Sequence, residues 1–124
     1  MKLDVLIVDG SGPIRKILHR LLVQAGVRVG HVIEASDGAE AIEKLSHGAV
    51  GLILSEIDLP GIGGLELLGR LKSCDTWKSV PVLVITTENN QDKVAQALEL
   101  GAAGYLRTPF TADQIREKLA GLIT

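Results

Sequence analysis

Leu52-Ile53-Leu54-Ser55-Glu56-Ile57-Asp58-Leu59-Pro60-Gly61 is the stretch that decides the fold. A short apolar run delivers an acidic pair, Glu56 and Asp58, to a turn marked by Pro60, Gly61, Gly63 and Gly64. A near-continuous apolar run closed by turn residues is the pattern of a strand covered on both faces, as in a parallel sheet. The start of the chain repeats the design: Val5-Leu6-Ile7-Val8 delivers Asp9 to the turn Gly10-Ser11-Gly12-Pro13. Two buried strands that end in carboxylates are the beginning of an acidic pocket.

Working outward, five runs rich in Val, Ile and Leu recur: Leu3-Val8, Val29-Ala35, Gly51-Ser55, Pro81-Thr86 and Gly104-Arg107. The second and fifth are more mixed than the others, which suits sheet edges. Segments with helical spacing lie between them. Their apolar stripes are Ile14, Ile17, Leu18, Leu21 and Leu22; Ala39, Ile42 and Leu45; Leu65, Leu68 and Leu71; Val94, Ala97 and Leu98; and Ile115, Leu119 and Leu122. Pro13 fits the first turn of a helix, where its missing N–H costs little. Asp37 to Glu40 and Thr111 to Gln114 have capping-box spacing. Gly26, Gly48 and Gly101 fall where left-handed helix caps are wanted.

Strict strand–helix alternation with short connections predicts an α/β fold, a single doubly wound (βα)5 domain over residues 1–124 with a five-stranded parallel sheet. Ligand chemistry in such sheets gathers beyond the carboxyl ends of the strands. Those ends carry Asp9, Glu56 and Asp58, Thr86 and Thr87, and Arg107 and Thr108.

Composition narrows the function classes. The 124 residues suffice for one core and are too few for two domains. A net charge of -2, with acids and bases interspersed, gives no reason to expect nucleic acid or membrane as a partner. The single cysteine, Cys74, excludes an internal disulfide and suits a reducing cytoplasm. Met1-Lys2-Leu3-Asp4 has no signal-peptide pattern, so a cytoplasmic location is expected.

At this point the residues resemble the receiver domain of two-component response regulators, especially single-domain chemotaxis receivers. The supporting motifs run along essentially the whole chain: Leu6-Ile7-Val8-Asp9, Glu34-Ala35-Ser36-Asp37-Gly38, Asp58-Leu59-Pro60, Gly64-Leu65-Glu66-Leu67-Leu68, Pro81 to Thr86, Gly101-Ala102-Ala103-Gly104-Tyr105 and Thr108-Pro109-Phe110. The resemblance implies strand order 2-1-3-4-5. It also implies a cis Thr108-Pro109 bond, which costs only about 0.5–1 kcal/mol over trans.

Such receivers take a phosphoryl group from a kinase histidine onto an aspartate that ends the third strand. Two acids ending the first strand help bind Mg²⁺; a Ser/Thr hydroxyl and a lysine contact the phosphoryl oxygens. Carried over, the resemblance keeps Asp9 and Thr86 but puts Gly10 at the second acid, Glu56 at the acceptor and Thr108 at the lysine. Phosphoryl transfer is mainly positioning and charge neutralisation. The extra methylene of Glu56 moves its carboxylate by on the order of 1 Å, enough to cost about a hundredfold in a well-oriented reaction. Gly10 removes a hard oxygen ligand and Thr108 removes a cation. Arg107 is a poor substitute, since strand alternation points it away from Thr108.

The expected function is therefore that of a pseudo-receiver, not an enzyme, acting by protein–protein contact with a histidine kinase or a downstream target. No output domain is present in this chain, so the signal would pass to a separate protein. Metal binding by Asp9, Glu56 and Asp58 is expected to be weak or absent, with no other cofactor. Glu56 is either a partial mimic of a phosphorylated state or a relic. Thr86 either bonds Glu56 or is an ordinary strand residue. Asp92, Tyr105 and Lys118 would form an output face, with a solvated mixed-charge surface as the alternative. Residual phosphoacceptor activity is one competing function. A flavodoxin-like ligand binder is another, disfavoured because only Trp77, Tyr105 and Phe110 could stack on a ring. His19, His31 and His47 lack metal-ligand spacing.

Overall fold

The computed structural model describes residues 2–87 and 91–122. Strands and helices alternate without exception: β1 (Leu3–Val8), α1 (Gly12–Gln24), β2 (Val29–Ala35), α2 (Gly38–Leu45), β3 (Leu52–Glu56), α3 (Gly64–Lys72), β4 (Val82–Thr86), α4 (Gln91–Leu100), β5 (Gly104–Arg107) and α5 (Ala112–Leu119). All pairings are parallel and the order is β2-β1-β3-β4-β5, so the two mixed strands are the edges. Thr108-Pro109 is cis.

Period-two alternation divides the core between the two faces of the sheet. Val5, Ile7, Leu52, Leu54, Leu83, Ile85 and Leu106 meet Leu18 and Leu22 of α1 and Ile115 and Leu119 of α5. Leu6, Val8, Ile53, Val82 and Val84 meet side chains of α2, α3 and α4 on the other face, where Trp77 also packs. Every residue of β4 is buried, which explains its unbroken apolar run.

The helix starts follow from local chemistry. Ser11 caps α1 through the Ile14 N–H, with Pro13 in the first turn. Thr111 and Gln114 make a complete capping box on α5. On α2 the box is displaced: Asp37 accepts from the Glu40 N–H, but Glu40 reaches back to the N–H of Ser36.

Several sequence expectations need correction. Gly26 and Gly101 have positive φ, but Gly48 does not. α2 ends at Leu45, and Ser46 closes it with its hydroxyl on the Glu43 carbonyl. α5 stops at Leu119, leaving Leu122 exposed. Ile14 and Ile17 flank the inward face of α1 rather than forming it and are also exposed, as is Leu98 on α4.

Close packing fixes the turn after β3. A Cβ on Gly64 would lie 2.4 Å from the Glu56 carbonyl oxygen and 2.7 Å from Ile57 Cα, so the backbone would have to move. Gly64→Ala is expected to lower stability by about 1–3 kcal/mol, the range for overpacking. Gly69→Ala, in mid-helix with nothing within 4 Å of the new methyl, should raise it by up to about 1 kcal/mol. Urea unfolding of both variants checks the pair; equal effects would contradict the packing.

Candidate functional site

Register brings the site together. β1 and β3 pair with Val8 opposite Ser55, so the next step along each strand puts Asp9 beside Glu56. Alternation sends both side chains to the face covered by α1, where Leu54 and Ile7 precede them. They line a cavity of about 240 Å³ with Asp58, Thr86, Thr87, Thr108 and the apolar side chains Ile14, Leu18 and Ile85. All the predicted pocket residues that carry a side chain are thus present. Sequence reasoning missed the wall that α1 supplies through Ile14 and Leu18.

Asp9 is buried, and its Oδ1 accepts the N–H of Ser11 at 2.8 Å. Arg15 of α1 donates to the Asp9 carbonyl and pairs with Glu34 at 2.8 Å. The Glu56 carboxyl stands against that of Asp9 and near the N–H of Gly10. Two carboxyl groups so placed repel each other when both are ionised, which favours a proton on one of them. Burial, the charge and closeness of the Asp9 carboxyl and the charge of Asp58 push the Glu56 pKa up to about 7; the Gly10 N–H opposes them.

The two threonines do not reach the acid pair by their recorded bonds. Thr86 Oγ1 donates to the Thr87 carbonyl at 3.2 Å, which favours the ordinary strand residue over the bond to Glu56 among the two alternatives for Thr86. Thr108 Oγ1 donates to the Thr86 carbonyl at 3.1 Å, which binds the end of β5 to the end of β4. Arg107 is exposed and lines a different cavity with Tyr105, Phe110 and Lys118. It therefore supplies no cation to the acid pocket.

The metal set Asp9, Glu56 and Asp58 is not assembled. Among the described residues no group of three or more His, Cys, Asp or Glu side chains could hold a metal ion. The reason is local: Asp9 accepts the N–H of Ser11, and Asp58 is ion-paired with Lys93 at 2.6 Å. Mg²⁺ is usually held by one or two carboxylates with water completing its octahedron, and here Asp9 and Asp58 already have other partners. The Lys93 contact had no signal in the sequence, because 35 residues separate the partners.

Tyr105 and Lys118 do meet. The Lys118 ammonium lies 4.9 Å from the centre of the Tyr105 ring, a cation–π contact at the β5 edge. Asp92 is exposed in the first turn of α4.

Residues 5–120 match the response regulator receiver domain family. The chain belongs to that family. As a receiver it is similar to the chemotaxis protein CheY of Pseudomonas aeruginosa, 32% identical over 94% of this chain and 93% of the relative. It is 33% identical to chemotaxis protein CheY-3 of Vibrio cholerae, over 94% of this chain and 88% of that one. Among solved structures, the chemotaxis response regulator CheY4 of Vibrio cholerae superposes with a TM-score of 0.85 at 29% identity, covering 99% of this receiver and 100% of the other. Among the described residues no helix is long and apolar enough to cross a membrane.

The acid pair should leave a signature in the pH dependence of stability. Between the ordinary glutamate value of 4.5 and about 7, the folded receiver holds a proton at Glu56 that the unfolded chain has released. The native state then binds more protons, so this group makes stability fall as pH rises through that window. Its stabilisation is complete below the unfolded value and lost above about 7. Glu56→Gln keeps a donor for Asp9 and cannot ionise. Compared with wild type, it is expected to show a flatter loss of urea midpoint from about pH 5 to about pH 8, and to be the more stable at the upper end. Parallel curves for the two proteins would show that Glu56 ionises normally.

Proposed function

We propose that this receiver signals by protein–protein contact without a full phosphorylation cycle, as a pseudo-receiver. Glu56, Gly10 and Thr108 stand, in this reading, where other receivers have the acceptor aspartate, the second metal-binding acid and the lysine. The observation that carries it is the apposition of Glu56 and Asp9 at the ends of β3 and β1, inside one cavity with Asp58 and Thr108. A carboxyl whose pKa is pushed up to about 7 is partly protonated at neutral pH, which weakens it as a nucleophile toward phosphorus. Thr108 supplies a hydroxyl already donated to a backbone carbonyl, where charge neutralisation is needed. Phosphoryl transfer has little other chemistry for a protein to assist.

The chain is then no enzyme, and acts in the cytoplasm by docking on a histidine kinase or a downstream target. Its family and its similarity to chemotaxis proteins support that kind of partner. The edge formed by Tyr105 and Lys118, with Asp92 nearby in the sequence of α4, is the proposed output face. Slow acceptance of phosphate by Glu56 or a neighbouring acid is the outcome that would replace this reading.

Labelling decides between them. Mass measurement after incubation with a small phosphodonor and Mg²⁺ is expected to show no phosphorylated wild type and none for Glu56→Asp, which corrects reach alone. The triple variant Gly10→Asp, Glu56→Asp, Thr108→Lys should gain label. A new Cβ at position 10 meets nothing closer than the Ser36 carbonyl at 3.9 Å, so the acid can be built there. The three changes converge on one phosphoryl group and should be strongly non-additive. Efficient labelling of the wild type would overturn the proposal.

A further inference from the structure

The geometry points to the Lys93–Asp58 ion pair as a strap that fastens α4 to the loop after β3 and so holds the α4 surface in place. α4 is weakly anchored by its own side chains, since the two it buries are the small Val94 and Ala97, where α1 buries Leu18 and Leu22 and α5 buries Ile115 and Leu119. By contrast α3 buries Leu67, Leu68 and Leu71. Among the described residues, the bond from Lys93 Nζ to Asp58 Oδ1 at 2.6 Å is the one side-chain hydrogen bond or ion pair that links α4 to another element.

The placement of Lys93 supports a role for the pair. A lysine in the first turn of a helix is opposed by the partial positive charge of the unpaired N–H groups there. α4 gains nothing by itself from a cation at that position, and the carboxylate of Asp58 answers it. Asp58 lies two residues beyond Glu56 and lines the acid pocket, so the strap joins that pocket to the helix that carries Asp92. Both partners are about half exposed, at 47% and 46%, so the pair is screened by water and salt. Its effect is accordingly small in global stability and concentrated in the local opening of α4, the kind of event that weakly anchored helices undergo. The strap stands whether or not Glu56 takes a phosphoryl group.

Native-state hydrogen exchange over residues 91–100, with α1 and α5 as internal references, tests it. Lys93→Met keeps the stem and removes the charge; it is expected to speed exchange in α4 by about 1.5-fold to fivefold, the range for an exposed pair. Asp58→Asn should do the same, the double variant no more than either, and Lys93→Arg should stay close to wild type. Raising salt to about 1 M should loosen α4 of the wild type in the same way while leaving Lys93→Met unchanged, a reading that needs no variant of Asp58. Exchange of α4 in Lys93→Met at the wild-type rate, or acceleration shared equally by α1 and α5, would overturn the strap.

Discussion

The in-register parallel pairing of β1 with β3 is the constraint on which the site depends. It buries Val5 to Val8 against Leu52 to Ser55 and, one residue further, forces the carboxyls of Asp9 and Glu56 together. Register in a buried parallel sheet cannot slip, because a shift of one residue would turn each apolar side chain to the wrong face. The apposition of two acids is thus imposed by the hydrophobic core. Burial, together with that apposition and the charge of Asp58, pushes the Glu56 pKa up to about 7.

The surroundings keep that arrangement closed. Gly64 lets the loop after β3 fold tightly back over Glu56 and Ile57, and Gly64 N donates to the Ile57 carbonyl. Thr108 fastens the end of β5 to Thr86. Arg15 holds the carbonyl of Asp9 from α1. Asp9, Asp58, Thr86 and Thr108 each have a bond of their own. A site so satisfied gains less from an incoming ligand, since existing bonds must first be broken.

The architecture was legible because its signals are local and repeated. Five apolar runs, each followed by turn residues and a helical stripe, fix the alternation, and the mixed composition of Val29–Ala35 and Gly104–Arg107 marks the edges. The helix faces were less legible. In α3, Leu65, Leu67, Leu68 and Leu71 all compete for the inward face, and the expected stripe omitted Leu67, which is buried. On α1 the expected stripe was too broad, since only Leu18 and Leu22 are buried. The acids of the site could be placed at strand ends from the sequence, but not their bonds, which depend on register and side-chain direction. Lys93 was invisible for a similar reason: its partner is set by how α4 packs against α3 and not by spacing along the chain.

Titration with Mg²⁺, followed through the backbone amides of Asp9, Gly10 and Glu56 by nuclear magnetic resonance, tests the central claim most directly. If the acid pair is closed on itself, these three amides should stay within the scatter of exposed control residues up to about 10 mM, since a ligand far below its Kd occupies little of its site. Saturable shifts confined to these amides in that range would show a competent metal site. The closed-pair account, and the inert receiver built on it, would then be wrong.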